Sequence, residues 1–249
     1  MNWGTLSRYD PRRLREHGEL RRVADALLAA ILGPQCVGCS RVLEHPTRGP
    51  VCPTCWSELA ILSTLTNHRG LSPIDAYRAA GAYEGTLRSI VRAFKYDGRR
   101  TLAVPLGRLA LTAGQDVLDA ASCVVPVPLH PWRRFRRGFD QAADLATALD
   151  LPVLHALRRT RATRPQTGLT ASGRRRNVRG AFSDSPGLTP LLRRELLIDQ
   201  AVVLVDDVRT TGATLRACAH VLKHAGAREV RALTIAWARP TLSAGRDRR

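Results

Sequence analysis

Ala201-Val-Val-Leu-Val-Asp-Asp-Val-Arg-Thr-Thr-Gly-Ala-Thr-Leu215 runs from an apolar segment through two carboxylates into a turn bearing threonine and glycine. Ala201 to Val205 is apolar throughout and rich in β-branched residues, the pattern of a strand buried on both faces. Asp206 and Asp207 come where that strand is expected to end. Val208 and Arg209 lead into a short loop of Thr210, Thr211, Gly212, Ala213 and Thr214, and a helical pattern begins near Leu215. A strand, a polar turn with glycine and a helix N-terminus form a phosphate cradle, because unpaired backbone N–H groups and the helix dipole point at the ligand together. Threonine hydroxyls add donors, and the aspartates can take ribose hydroxyls or a ligand-bound Mg²⁺. No Gly-Lys-Ser/Thr follows the glycine, which excludes a Walker A loop.

Outward from this stretch, Leu215 to His224 continues the helix, Gly226 fits its C-cap, and Glu229 to Trp237 reads as a final strand. Upstream, Ala76 to Tyr83 alternates as a strand, and Thr86 to Phe94 has helical spacing through Leu87, Ile90, Val91 and Phe94. Lys95 to Arg100 reads as a basic turn before a helix from Leu102 to Leu111. Cys123-Val-Val-Pro-Val-Pro-Leu129 reads as a buried strand ending near Val125 to Val127, since proline is disfavoured inside a central strand. Asp140 or Gln141 opens a helix through Leu145 and Leu149, and Pro152 to Leu157 is expected to be the next strand. Residues 188–198 fit either a short helix or a loop. This alternation predicts an α/β fold, a mainly parallel, doubly wound sheet flanked by helices. Ligands of such sheets bind beyond the carboxyl ends of the strands, so the cradle and the Pro126-to-Gly138 turn are expected to face one pocket.

The N-terminal third has a different character. From Arg12 a helix is expected, with Leu20, Val23, Ala24, Leu27, Leu28 and Ile31 on one face and Gly33-Pro34 stopping it. Arginines opposite that face admit membrane contact, but packing against the next domain is the expectation. Cys36-Val-Gly-Cys39 and Cys52-Pro-Thr-Cys55 then offer two thiolate pairs on tight knuckles, the donor set of a structural tetrahedral zinc site. Redox-active or idle thiols are the alternative. His45 between the pairs is surplus to a complete ligand set. Cys123 and Cys218 sit in apolar surroundings and read as core residues. His220 and His224 are four apart on one helix, but without a third ligand they read as surface histidines. Trp56 to Leu65 reads as a short helix and Asn67 to Pro73 as a linker. The division expected is 1–33 amphipathic helix, 34–66 zinc-knuckle domain, 74–240 α/β domain and 241–249 disordered tail.

The formal net charge of +18 over 249 residues suggests polyanionic ligands, although arginine carries nearly all of it, as a GC-rich coding bias also gives. Arg158 to Gly180 is arginine-rich and poor in apolar residues, and is expected to be a long mobile loop. No apolar run approaches the length of a spanning helix and no signal-peptide layout opens the chain, so a cytoplasmic location without membrane insertion is expected.

Several shorter matches join the central stretch in order. They are the Cys-x-x-Cys pairs, Phe94-Lys95-Tyr96 with Gly98, Val125-Pro-Val-Pro-Leu129 and Arg137-Gly-Phe-Asp-Gln-Ala142. Gln166 with Gly168-Leu169, Arg174 with Asn177-Val178, and Gly180-Ala-Phe182 follow, ahead of Val205-Asp-Asp-Val-Arg-Thr-Thr-Gly-Ala-Thr214. The last resembles the phosphoribosyl pyrophosphate (PRPP) motif of type I phosphoribosyltransferases, and the ordered set resembles the ComF/GntX family of ComFC-type competence proteins over nearly the whole length. Two departures stand out. Asp140 replaces the family's usual asparagine, and a second cysteine pair that many members carry after the knuckle is absent.

The resemblance implies a type I phosphoribosyltransferase core with a small N-terminal Cys₄ zinc-ribbon-like (double zinc ribbon-like) domain. It implies PRPP with Mg²⁺ as ligand, its 5-phosphate on Thr210, Thr211, Gly212, Ala213 and Thr214, its ribose hydroxyls on Asp206 and Asp207, and Val208 and Arg209 beside them. Val127, Pro128 and Leu129 would approach the pyrophosphate, and Arg137 and Arg174 are suitable clamps because guanidinium groups bind phosphate bidentately. Arg158 to Gly180 would close over a donor prone to hydrolysis. Two functions follow. One is a glycosyltransferase passing the pentosyl group to an unknown acceptor, in DNA uptake or natural transformation. The other is a non-catalytic PRPP-fold module that binds single-stranded DNA and helicase-type partners, for which Trp132-Arg-Arg-Phe-Arg-Arg-Gly-Phe139 supplies arginine and stacking rings. A PRPP-fold transcriptional regulator, with the zinc knuckle as interaction surface, is a third.

Overall fold

The structure, a computed structural model, describes residues 11–63, 67–69, 72–129, 135, 138–161 and 180–238. The expected disordered tail and most of the expected mobile loop lie outside the described residues.

A five-stranded sheet organises the chain, in the order β1-β2-β7-β6-β3. Its members are β1 (Asn67–Arg69), β2 (Ala76–Ala82), β3 (Cys123–Pro126), β6 (Ala201–Arg209) and β7 (Glu229–Trp237). β2, β7, β6 and β3 run parallel, and β1 is an antiparallel edge strand. The continuous apolar run of Ala201 to Val205 is buried along its whole length, as a strand covered on both faces requires. Its side chains alternate between two cores. Val203 and Val205 join a cluster with α3 (Gly85–Tyr96) and α4 (Ala103–Ala113). Val202 and Leu204 join a second cluster with α8 (Ala213–His224).

The remaining described helices are α1 (Pro11–Leu32), α2 (Pro53–Ser63), α5 (Gln115–Leu118), α6 (Gln141–Ala146) and α7 (Pro190–Leu196). Asp140 caps α6 by accepting from Ala143 N at 3.3 Å, a role an asparagine fills equally well. Thr189 caps α7 through Leu192 N, so residues 188–198 contain a helix.

Four expectations need correction. β6 does not end at the aspartates; parallel pairing with β7 carries it through Asp206 to Arg209. Asn67 to Pro73 is not only a linker, since Asn67–Arg69 pairs with β2 at the sheet edge. Pro152 to Leu157 does not form a full strand. Val153 makes one parallel bridge to Val124, and the chain then forms a separate two-stranded ribbon, β4 (Leu157–Arg159) with β5 (Phe182–Asp184). The start of the arginine-rich run is therefore ordered ladder.

The fourth correction concerns α1. Its apolar stripe faces solvent instead of packing inward, with Leu20 69% and Ile31 75% exposed, and Val23 and Leu27 more than half exposed. The side that docks is polar. Asp25 is buried, accepts from Thr47 N at 2.8 Å and faces His45 Nδ1 at 3.3 Å. Arg21 adds hydrogen bonds to Thr47 Oγ1 and O. His45, surplus as a metal ligand, thus serves a latch.

Candidate functional site

Asp206 to Arg209 form the carboxyl end of β6, which lies between β7 and the edge strand β3, and Thr210 to Gly212 lead into α8. Gly212 adopts φ 71°, a left-handed conformation suited to glycine, and lets the chain turn into α8. Gly212, at the N-cap of α8, has no side chain to cap it, and Thr211 Oγ1 accepts from Ala213 N at 3.4 Å. Beside it, Pro126 pairs with Val205, and Val127 N extends the ladder by donating to Val205 O at 2.9 Å. The turn Val127, Pro128, Leu129 therefore starts one residue from Asp206 on the neighbouring strand. The structure brings these two predicted halves together.

The two aspartates have different partners. Asp206 Oδ1 accepts from Asp207 N at 2.8 Å. Burial above all, and then the neighbouring Asp207, push the Asp206 carboxyl up to about 8. Asp207 is buried, and its Oδ1 lies 2.7 Å from Lys95 Nζ. Burial works to lower the Lys95 ammonium, but Asp207 and then Asp206 outweigh it and hold it above its ordinary value. Lys95 is a site residue that sequence reasoning placed in a basic turn. The helical spacing of α3 in fact continues through it to Tyr96. The available signal was Phe94-Lys95-Tyr96, one of the ordered matches. Phe94 packs on Phe139, ring centroids 5.5 Å apart, so two of the ordered matches meet there.

Val208 packs against the α3–α4 core. Arg209 turns toward the β2–β7 side, its guanidinium 4.2 Å from the Tyr77 ring centroid and 5.6 Å from that of Trp237. Its Nε is buried without a hydrogen bond. Tyr77 Oη and Thr234 Oγ1 share a bond of 2.7 Å, and burial pushes the phenol up to about 12. The candidate clamps Arg137 and Arg174 lie outside the described residues, as do Gln166, Gly168 and Asn177.

The four knuckle cysteines converge. Cys36 and Cys55 sulfurs are 3.8 Å apart, as are those of Cys39 and Cys52, and all four lie within 4.8 Å of one another. A tetrahedron of thiolates about 2.3 Å from zinc has S···S edges of about 3.8 Å, so the donor set fits that ion. Gly38 N and Cys52 N donate to Cys36 Sγ, as knuckle amides do toward thiolates. Hydrogen bonds from Arg41 hold the Cys39 thiol down at about 6, while burial pushes Cys55 up. Among the described residues no other such cluster occurs. His220 and His224 find no third ligand there, and Cys123 and Cys218 are buried core residues.

The phosphoribosyl transferase domain model matches residues 136–246. Competence protein F of Haemophilus influenzae is 30% identical over 215 residues, covering 82% of this chain and 90% of its own. The chain belongs to the ComF family. The DNA utilization protein YhgH of Escherichia coli K12 is 33% identical, over 78% of this chain and 86% of its own. Competence protein ComFC of Bacillus subtilis is 25% identical, over 77% and 78%. The fold is that of type I phosphoribosyltransferases, a parallel sheet flanked by helices. No helix among the described residues is long and apolar enough to cross a membrane.

Proposed function

We propose that this ComF-family chain binds PRPP at the carboxyl end of β6 and acts in DNA uptake or natural transformation, transferring the phosphoribosyl group with Mg²⁺ to an acceptor. The observation that carries this is the convergence at the carboxyl end of the sheet of the α8 N-terminus, the Gly212 turn, two carboxylates and the Val127–Leu129 turn. A sugar phosphate fits that order: phosphate on Thr210 to Thr214, ribose hydroxyls on Asp206 and Asp207, and pyrophosphate toward Val127 to Leu129 with its Mg²⁺. Displacement at the anomeric carbon develops positive charge, so rate comes from positioning and from neutralising the departing pyrophosphate, the task of Arg137 and Arg174. The names of the relatives, competence protein and DNA utilization protein, support the cellular role.

The domain division belongs to the same proposal: an N-terminal amphipathic-helix segment over 1–33, a zinc-bearing knuckle over 34–66 and the phosphoribosyltransferase-like domain over 74–240. Zinc is structural, because four thiolates leave no open position for chemistry.

A second reading has its own observation. Phe135 is 88% exposed within an arginine-rich stretch, as a ring that stacks on bases of single-stranded DNA would be. In that case the fold serves as a binding module for DNA and helicase-type partners. The deciding experiment incubates the protein with labelled PRPP, Mg²⁺ and bases, nucleotides or single-stranded DNA. Acceptor-dependent pyrophosphate release supports transfer; release without acceptor indicates hydrolysis. Asp206→Asn with Asp207→Asn should abolish PRPP binding, and unchanged calorimetric affinity refutes the site.

A further inference from the structure

We infer that Lys95 is the resident counter-cation of the acidic pair, holding Asp207 for sugar hydroxyls and keeping divalent metal off both aspartates. This rests on the ribose-phosphate assignment above and deepens it, since carboxylates at a strand end suit either hydroxyls or Mg²⁺ on chemistry alone.

The geometry is specific. Lys95 leaves the last turn of α3, packed beside Phe94, which is fully buried against Phe139. Its ammonium reaches Asp207 Oδ1 at 2.7 Å with only 15% of the lysine side chain exposed. A site this desolvated strengthens the ion pair and equally strengthens repulsion between the ammonium and any metal ion beside it. Mg²⁺ requires near-octahedral oxygen coordination and gives up its water reluctantly. Here one oxygen of Asp207 is committed to Lys95 and Oδ1 of Asp206 is committed to the Asp207 amide. The remaining lone pairs suit O–H donors, which carry no net charge toward the ammonium. Lys95 is a positioning residue. Metal that accompanies a pyrophosphate then belongs at the Val127–Leu129 side of the pocket.

The test uses the full chain and two probes, Mn²⁺ alone by electron paramagnetic resonance and ribose 5-phosphate by calorimetry. Mn²⁺ prefers oxygen donors and leaves the thiolate site aside. Wild type is expected to show no Mn²⁺ signal that depends on Asp207, and the same ribose 5-phosphate affinity in Mg²⁺-free buffer as in Mg²⁺. Lys95→Met should gain a Mn²⁺ site that vanishes in Lys95→Met/Asp207→Asn. It should also bind ribose 5-phosphate about ten-fold or more weakly in Mg²⁺-free buffer, as loss of a charged hydrogen-bond partner implies, and recover in part with Mg²⁺. Mn²⁺ binding to wild type that Asp207→Asn removes overturns the inference, as does undiminished sugar phosphate affinity in Lys95→Met. If Lys95→Met fails to fold, wild type against Asp207→Asn carries the same test. Should wild type bind no ribose 5-phosphate while Lys95→Met gains Mn²⁺, the ribose-phosphate assignment fails alone and metal exclusion stands.

Discussion

Replacing Asp206 with asparagine should stabilise the ligand-free protein at and above neutral pH. Asp206 pairs in register with Thr234 and accepts the Asp207 amide through Oδ1. Burial and the Asp207 charge push its carboxyl up to about 8, against an ordinary value of about 3.9. A carboxyl that keeps its proton longer in the folded state contributes stability that is complete below about pH 4 and is lost as the pH rises toward 8. Asparagine keeps the acceptor oxygen and the shape and never ionises.

The size follows from linkage. Each pH unit in that window removes at most about 1.4 kcal/mol from the wild type. Lys95, which lowers the Asp206 carboxyl, and water at the strand end relieve part of the penalty. Between pH 5 and 8.5 the variant should therefore gain roughly 2–4 kcal/mol on the wild type. Urea unfolding at pH steps, followed by tryptophan fluorescence, measures the difference, and groups common to both proteins cancel. Curves that stay parallel over the whole range, or a wild type that gains on the variant as pH rises, refute the account of the acidic pair.

Atomic emission should find one zinc per chain, and Cys36→Ser should release it. Cys36 and Cys55 belong to the same buried cluster as Leu87, Ile90 and Phe94, so release should lower stability by about 3 kcal/mol, or Tm by roughly 6–12 °C at this chain length. An unchanged Tm after metal loss would show the knuckle to be an appendage. Gly212→Ala places a Cβ at φ 71° and should cost about 1 kcal/mol by chemical denaturation; a neutral result would mean the turn relaxes. Leu27→Ser and Ile31→Ser on the exposed stripe of α1 should change stability by no more than about 0.5 kcal/mol. Asp25→Ala should instead release the helix, read as faster amide exchange over residues 19–32, and unaltered exchange would mean that other contacts hold α1.

The central strand, the loop and α8 were legible because one pattern, an apolar run followed by carboxylates, threonines and glycine, has few folded solutions. The cysteine spacing was legible for a similar reason: two knuckles and four thiolates form a closed donor set. Where the sequence misled, long-range pairing decided. Asp206 to Arg209 reads as loop by polarity, yet β7 offers partners as far as Trp237, and the strand continues. Val153 has strand chemistry, but only one parallel bridge to β3 is formed at that edge. The stripe on α1 has the period of a buried face, and a period says only that the residues share a side. Asp25, a charged residue in the helix, found its partners at His45 and Thr47, and no local pattern announces a latch between segments twenty residues apart.

Lys95 was obscured by composition and is also best explained by it. Arginine supplies nearly all the positive charge of this chain, and Lys95 and Lys223 are its two lysines. Lys223 bridges Asp75 Oδ2 at 2.8 Å and Arg228 O at 2.6 Å, near the start of β2 and β7, at the end of the sheet opposite the cradle. Lys95 stands against the acidic pair. An ammonium is a compact charge with three independently directed donors, whereas a guanidinium presents a planar fork that grips a carboxylate through both oxygens. At position 95 such a fork would engage both oxygens of Asp207 and leave fewer lone pairs for a diol than an ammonium on Oδ1 alone. A chain biased so strongly toward arginine thus carries lysine at the place where charge is needed and a second hydrogen bond is not. The same selectivity is required if Asp207 is to hold a sugar hydroxyl on one side while its charge is balanced on the other.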